Sequence, residues 1–232
     1  MRVAVVRFPG SNCDLDAVAA MRSIAGLSPE LVWHESDKLG RYDAVVLPGG
    51  FSFGDYLRAG SIAARSPAMS TIRRMADRGT PILGVCNGFQ ILVEAGLLPG
   101  ALLRNSSLKF VCDWVNLRVD SPRTPFTLLA QEGQVLRMPI AHGEGRYYAA
   151  DDEMRALERG RRIVFRYSDE YGKAVAGSNP TGASRNVAGI SNEQGNVVGL
   201  MPHPERACDP LFSPSGSVDG RLIFASLLEG AT

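Results

Sequence analysis

"PILGVCNGFQILVEAGLL", residues 81–98, decides how this 232-residue chain folds. An apolar run, residues 81–85, reads as a strand, and residues 87–98 read as the helix that follows it directly. Cys86 stands at the junction, with Gly84 and Gly88 two positions to either side. That is the spacing of a nucleophile elbow, in which the chain reverses so sharply that neighbours two residues away must be small. Such a turn presents the sulfur at a helix N-terminus, where unpaired N–H groups and the helix dipole favour a thiolate. A free cysteine is more often a small core residue. The two glycines and the strand-to-helix junction favour the nucleophile here.

Working outward, the N-terminal half alternates strand and helix signals. Residues 2–8 form a β-branched run. Residues 12–26 follow with Leu15, Val18, Met21 and Ala25 at helical spacing and Gly26 as a stop. "ELVWHE" and "YDAVVLPGG" read as the next strands. Ser66 is an N-cap candidate, Pro67 suits the first helical position, and Gly79 ends a helix whose buried stripe is Met69, Ile72 and Met75. This alternation predicts an α/β fold with a mostly parallel central sheet covered by helices on both faces. Ligands of such sheets sit at the carboxyl ends of the strands, where "LPGG" and "GVCNG" both lie. The second half is richer in short strands, which predicts additional C-terminal β-strands. "NEQGN" reads as a hairpin turn and "RLIFASLLEG" as a closing helix. Residues 208–220, rich in Ser, Pro and Gly, read as a loop. No linker divides the chain, so one domain is expected over residues 1–232.

The composition narrows the function. Twenty-five basic and 24 acidic residues give a net charge of +1, with no nucleic-acid footprint. No stretch approaches a membrane span, and the first ten residues do not form a signal peptide. The four cysteines lack CxxC spacing, which argues against a disulfide framework and a zinc site. Cys208, five residues after His203, has no further ligands beside it in sequence, so no metal is expected. A cytoplasmic protein with reduced thiols is the expectation.

A thiolate nucleophile needs a base, and the base needs an orienting group. Of three histidines, His34 lies inside a strand pattern and reads as structural, and His142 sits in the glycine-rich turn "AHGEGRY". His203 is braced by Pro202 and Pro204 in "MPHPERA", with Glu205 two positions on. In an extended segment those two side chains point the same way, so the carboxylate can hold the imidazole tautomer. Gly49 and Gly50 in "LPGGFSFGDY", with the N–H of Asn87, offer oxyanion donors.

"PGGFS", "GVCNGFQ" and "HPE", in this order, resemble the class I, triad-type glutamine amidotransferases. "FPGSNCDLDA", "HGEGRY" and "AGSNPTGASRNVAGISNEQGNVVGLMPHPER" are similar to one branch of that family, whose members feed ammonia to a ligase of purine biosynthesis. The resemblance runs from about residue 3 to about residue 228. It implies a flavodoxin-like glutaminase domain, with Cys86 as nucleophile toward the side-chain amide of glutamine, His203 as general acid and base, and Glu205 orienting His203. Gln90 matches a position that helps hold glutamine, and His142, Tyr56 and Arg58 become candidates for the site rim or an interface. The resemblance further implies a partner synthetase subunit that uses ATP and Mg2+ to convert formylglycinamide ribonucleotide into formylglycinamidine ribonucleotide, together with a small accessory subunit. The chain itself carries no GxxxxGK[ST] or GxGxxG, so no cofactor is expected in it. The alternatives are a glutaminase serving another synthase, a stand-alone hydrolase, and a non-catalytic regulatory subunit.

Overall fold

The structure is a computed structural model that describes residues 1–36 and 39–230. Its strands are β1 (Arg2–Arg7), β2 (Ser28–Trp33), β3 (Ala44–Leu47), β4 (Ile82–Val85), β5 (Ala101–Leu103), β6 (Val111–Val119), β7 (Val135–His142), β8 (Arg146–Tyr148), β9 (Ile163–Ser168), β10 (Val187–Ser191) and β11 (Val197–Leu200). Its α-helices are α1 (Asp14–Arg22), α2 (Pro67–Asp77), α3 (Asn87–Glu94), α4 (Asp151–Arg159) and α5 (Gly220–Glu229). Nine strands form one sheet in the order β2-β1-β3-β4-β11-β10-β9-β6-β7. β2, β1, β3, β4 and β11 pair in parallel. That order is the 2-1-3-4-5 of flavodoxin-like sheets, with β11 as the fifth strand. From β11 outward every pairing is antiparallel. β5 and β8 form a separate two-stranded ribbon.

The residue pattern explains the division. Every residue of β3, β4 and β11 is buried, as expected where a sheet is covered on both faces. Along β7 buried and partly exposed residues alternate strictly, the mark of a sheet with one wetter face. The "NEQGN" turn joins β10 to β11, which puts the fifth parallel strand just before the Met201–Glu205 segment. The carboxyl ends of β3, β4 and β11 therefore lie side by side, and each feeds one of the predicted site segments.

Three local expectations need correction. Leu15 is 59% exposed and Ala25 is exposed, because α1 turns Asp14, Ala17, Val18 and Met21 inward instead. The Asp14 carboxylate tolerates that position through its ion pair with Arg7. Ser66 stands at the N-cap of α2 but makes no capping bond; its hydroxyl lies 3.2 Å from His34 Nδ1 instead. His34 is buried and stacked on Phe8, which bears out its structural reading. Helix α4 and the β5–β8 ribbon were not anticipated. Among the described residues no helix is long and apolar enough to cross a membrane.

Candidate active site

The elbow forms as its sequence predicts. Cys86 has φ 50° and ψ −105°, a conformation that costs a non-glycine residue about 1–3 kcal/mol and persists only where the surroundings enforce it. Its N–H donates to Leu200 O at 2.8 Å, which ties the tip to β11. Its carbonyl accepts the N–H of Gln90 at 3.1 Å and starts α3. A methyl group on Gly84 would lie 2.6 Å from the carbonyl oxygen of Gly88, so the two glycines need each other.

His203 hangs from the end of β11, fixed by its N–H to Pro139 O at 2.8 Å. Its Nδ1 lies 2.6 Å from Glu205 Oε1, and both side chains are almost fully buried. The pairing holds although the local reasoning does not: residues 204–207 are a 3-10 turn, not an extended segment. Burial by itself would push the His203 imidazole down. The carboxylate of Glu205 and the sulfur of Cys86 outweigh it, and the imidazole stands well above its ordinary value. Among the described residues His203 Nε2 has no hydrogen-bond partner, so with Nδ1 engaged it is the nitrogen left to exchange a proton with sulfur.

The donors expected for an oxyanion are available. Among the described residues the N–H groups of Gly49, Gly50 and Asn87 make no backbone hydrogen bond. The Gly49 carbonyl is engaged instead, accepting from Asn12 and Cys13 at 3.4 and 3.2 Å.

Gln90 is not a helix-surface residue. It is buried, donates through Nε2 to Glu144 O at 2.7 Å, and accepts at Oε1 from Asn87 at 2.9 Å. It thereby pins the turn after β7 to α3. Asn105 secures the same turn, donating to His142 O at 2.8 Å and accepting from Gly145 N at 3.0 Å. His142 is buried there with neither ring nitrogen bonded. Burial and the neighbouring His203 push it down to about 4, so it stays neutral near pH 7. Arg58 sits outside, in a bidentate pair with Glu94 at 2.6 Å, and Tyr56 is 74% exposed.

Two residues of this region escaped the sequence reading. Asp55 accepts from Asn87 Nδ2 at 3.3 Å. Burial, and then repulsion from Glu144, push its carboxyl up to about 6, with the Asn87 bond opposing them. The folded chain thus binds this proton more tightly than the unfolded chain does. Stability is present at low pH and is lost as pH rises from about 4 through about 6. Asp55→Asn is expected to melt at a higher temperature than the parent at pH 7.5, with the gap closing toward pH 4. An equal gain at both pH values would show relief of the backbone at φ 53° rather than of a buried charge.

Cys13 is the other. It occupies the N-cap of α1, is buried, and borders His203. A methyl group on Gly49 would sit 2.7 Å from His203 Cε1, 3.4 Å from its Nδ1 and 3.1 Å from Cys13 Sγ. Cys13 Sγ and the His203 ring therefore border the same point beside Gly49. Arg206 Nη2 donates to its sulfur at 3.2 Å. The only signal in the sequence was a cysteine at the start of a predicted helix, in "SNCD". Cys208, by contrast, turns its sulfur to Pro204 O at 3.2 Å and joins no cluster.

Comparison with known proteins agrees with this geometry. The family profile described as a CobB/CobQ-like glutamine amidotransferase domain matches residues 1–220. The phosphoribosylformylglycinamidine synthase subunit PurQ of Thermomicrobium roseum is 58% identical over 228 residues, covering 98% of this chain and 95% of that protein. The subunit of the same name from Aquifex aeolicus is 52% identical, covering 98% and 99%. In the structure of PurLQS from Thermotoga maritima, one chain superposes with a TM-score of 0.87 at 46% identity, over 100% of this chain and 99% of that one. The chain belongs to the glutamine amidotransferase family, within its branch of PurQ subunits of phosphoribosylformylglycinamidine synthase.

Proposed function

We propose that residues 1–232 act as one glutaminase domain, with Cys86, His203 and Glu205 as its catalytic triad. The observation that carries this reading is the 2.6 Å bond between His203 Nδ1 and Glu205 Oε1, with Cys86 beside the ring at positive φ. Glu205 fixes the tautomer in which Nε2 is free. His203, whose proton affinity Glu205 and Cys86 raise, holds on Nε2 the proton that Cys86 gives up, and the sulfur attacks the side-chain amide carbon of glutamine. The carbonyl oxygen takes up charge opposite the N–H groups of Gly49, Gly50 and Asn87; each such donor contributes about 3–4 kcal/mol in comparable sites. His203 then gives the proton to the departing nitrogen, and ammonia leaves. Water, activated by the same nitrogen, cleaves the γ-glutamyl thioester to glutamate. Gln90 acts by fixing the wall at residues 142–145 rather than by offering a free amide.

The ammonia serves a partner synthetase subunit that consumes ATP with Mg2+ and formylglycinamide ribonucleotide, and a small accessory subunit completes a cytoplasmic complex. The names of the relatives support this, as does the Thermotoga assembly. Near neutral pH most ammonia in water is protonated and no longer nucleophilic, so a sheltered route between subunits suits the chemistry. Cys86 is only 5% exposed in the free chain. The isolated chain is therefore expected to release glutamate slowly, with a rise of at least about tenfold on adding the synthetase partners, ATP and the ribonucleotide. Fast release by the chain alone would argue for a stand-alone hydrolase. Release that depends on Cys86 but ignores those additions would point to another synthase.

A further inference from the structure

Cys13 has no part in the chemistry just described, yet its sulfur, a ring nitrogen of His203 and a carboxylate oxygen of Glu205 all lie within 4.8 Å of one another. All three residues are buried. Among the described residues Glu205 Oε2 has no hydrogen-bond partner although it is buried, an arrangement that normally costs stability and leaves room for a ligand. Thiolate, imidazole and carboxylate together are the donor set of zinc. We propose that Cys13, His203 and Glu205 form a chelating site for a thiophilic divalent cation of the zinc class, and that its occupation switches the glutaminase off.

The chemistry balances. Cys13 loses its proton to solvent, and a thiolate and a carboxylate then neutralise the dication in a buried place. Arg206, beside the sulfur, keeps its own counter-ion in Asp16 at 3.5 Å. The sulfur, one ring nitrogen and one carboxylate oxygen lie within 4.8 Å of one another, while tetrahedral bonds of about 2.0–2.3 Å put donors about 3.5 Å apart, so the side chains shift by about 1 Å to close on a metal. The ring nitrogen that binds gives up to solvent any proton it carries, and the one ring proton that remains sits on the other nitrogen. His203 can then no longer accept the proton of Cys86. The metal need not touch the nucleophile to stop the reaction.

This inhibitory consequence rests on His203 being the base; the binding itself does not. Two measurements separate them. Cobalt(II) titrated into the full chain is expected to give a thiolate-to-cobalt charge-transfer absorption at one metal per chain. The band should persist in Cys86→Ser and vanish in both Cys13→Ser and Cys13→Ala, with circular dichroism confirming their fold. No band, one that survives in the Cys13 variants, or one lost with Cys86 would overturn the site. In the assembled complex, zinc is expected to suppress glutamine-dependent synthesis and spare synthesis from added ammonium. The Cys13 variants should need at least tenfold more zinc, each measured against its own zinc-free rate. A Cys13-dependent band with an unaffected glutamine-dependent rate would overturn the switch and count against His203 as the base.

Discussion

Replacing Cys86 with alanine is expected to lower glutamine-dependent synthesis by about 10,000-fold or more, while synthesis from added ammonium continues at the parental rate. The magnitude follows from the role proposed for Cys86, a nucleophile that works as a unit with its base, so that the remaining members cannot partly compensate. The sparing of the ammonium reaction follows from the division of labour between two chains. The substitution should leave assembly intact, because it removes one sulfur atom and keeps the backbone that α3 and β11 enforce. Cys13 is the rival nucleophile, since it also stands at a helix N-terminus beside His203. Two observations separate them. Burial pushes the Cys13 thiol up, with contacts to His203 and Arg206 only partly opposing that. Cys86 stands at the tip of the elbow between β4 and α3, where a backbone at φ 50° holds its sulfur beside His203. If glutamine-dependent activity survived Cys86→Ala and disappeared in Cys13→Ala, the assignment would be reversed. If both glutamine and ammonium activities disappeared with the complex still assembled, the separation of chemistries would be wrong.

The parts of this site that sequence reveals are those whose physics is local. Gly84 reports a steric demand made within five residues, by the carbonyl of Gly88, and the elbow spacing flags Gly88 too, although the atoms that crowd it belong to Leu47. Pro202 and Pro204 brace a histidine whose partner is two positions away, and the Nδ1–Oε1 bond formed even though the backbone turned instead of extending. The parallel N-terminal part of the sheet was legible for the same reason, because a β-branched run followed by an amphipathic helix implies a parallel crossover. What stayed hidden depends on residues far apart in the chain. Cys13 approaches His203 only because the loop after β1 is held against Gly49 by two backbone bonds. Asp55 and Glu144 repel each other across 89 positions, and no spacing rule joins them. Leu15 was expected on the inner stripe of α1, but the ion pair of Asp14 with Arg7, on β1, turns Asp14 inward and leaves Leu15 outside. Helix α4 was missed despite three acidic residues in its first turn, because only Met154 and Leu157 on it are buried. So short an apolar stripe falls below what periodicity can detect.

Gly88→Ala is expected to be the most damaging single-methyl change in the molecule. The added carbon would sit 1.9 Å from the carbonyl oxygen of Leu47 and 2.7 Å from its carbonyl carbon. Neither atom can retreat. Leu47 is the last residue of β3, whose strand is paired on both sides and completely buried. The helix cannot retreat either, because Phe89 is packed against Gly199, where a Cβ would lie 2.1 Å from its ring. Overpacking a tight core costs about 1–3 kcal/mol where side chains can adjust. Here the obstacle is backbone on a central strand, so a loss of about 3 kcal/mol or more is expected in chemical denaturation, the scale reserved for disrupted cores. The same displacement moves the N-terminus of α3, and with it Cys86 and the Asn87 N–H, away from His203 and from the Gly49–Gly50 donors. Any fraction that folds should therefore bind its partner yet release glutamate at least about 100-fold more slowly, the cost of misplacing reacting groups by about 1 Å. Gly79→Ala provides the control, since a Cβ there meets nothing within 4 Å and bears only the strain of φ 84°. Equal losses in the two variants would mean that glycine conformation, and not contact between α3 and β3, sets the elbow.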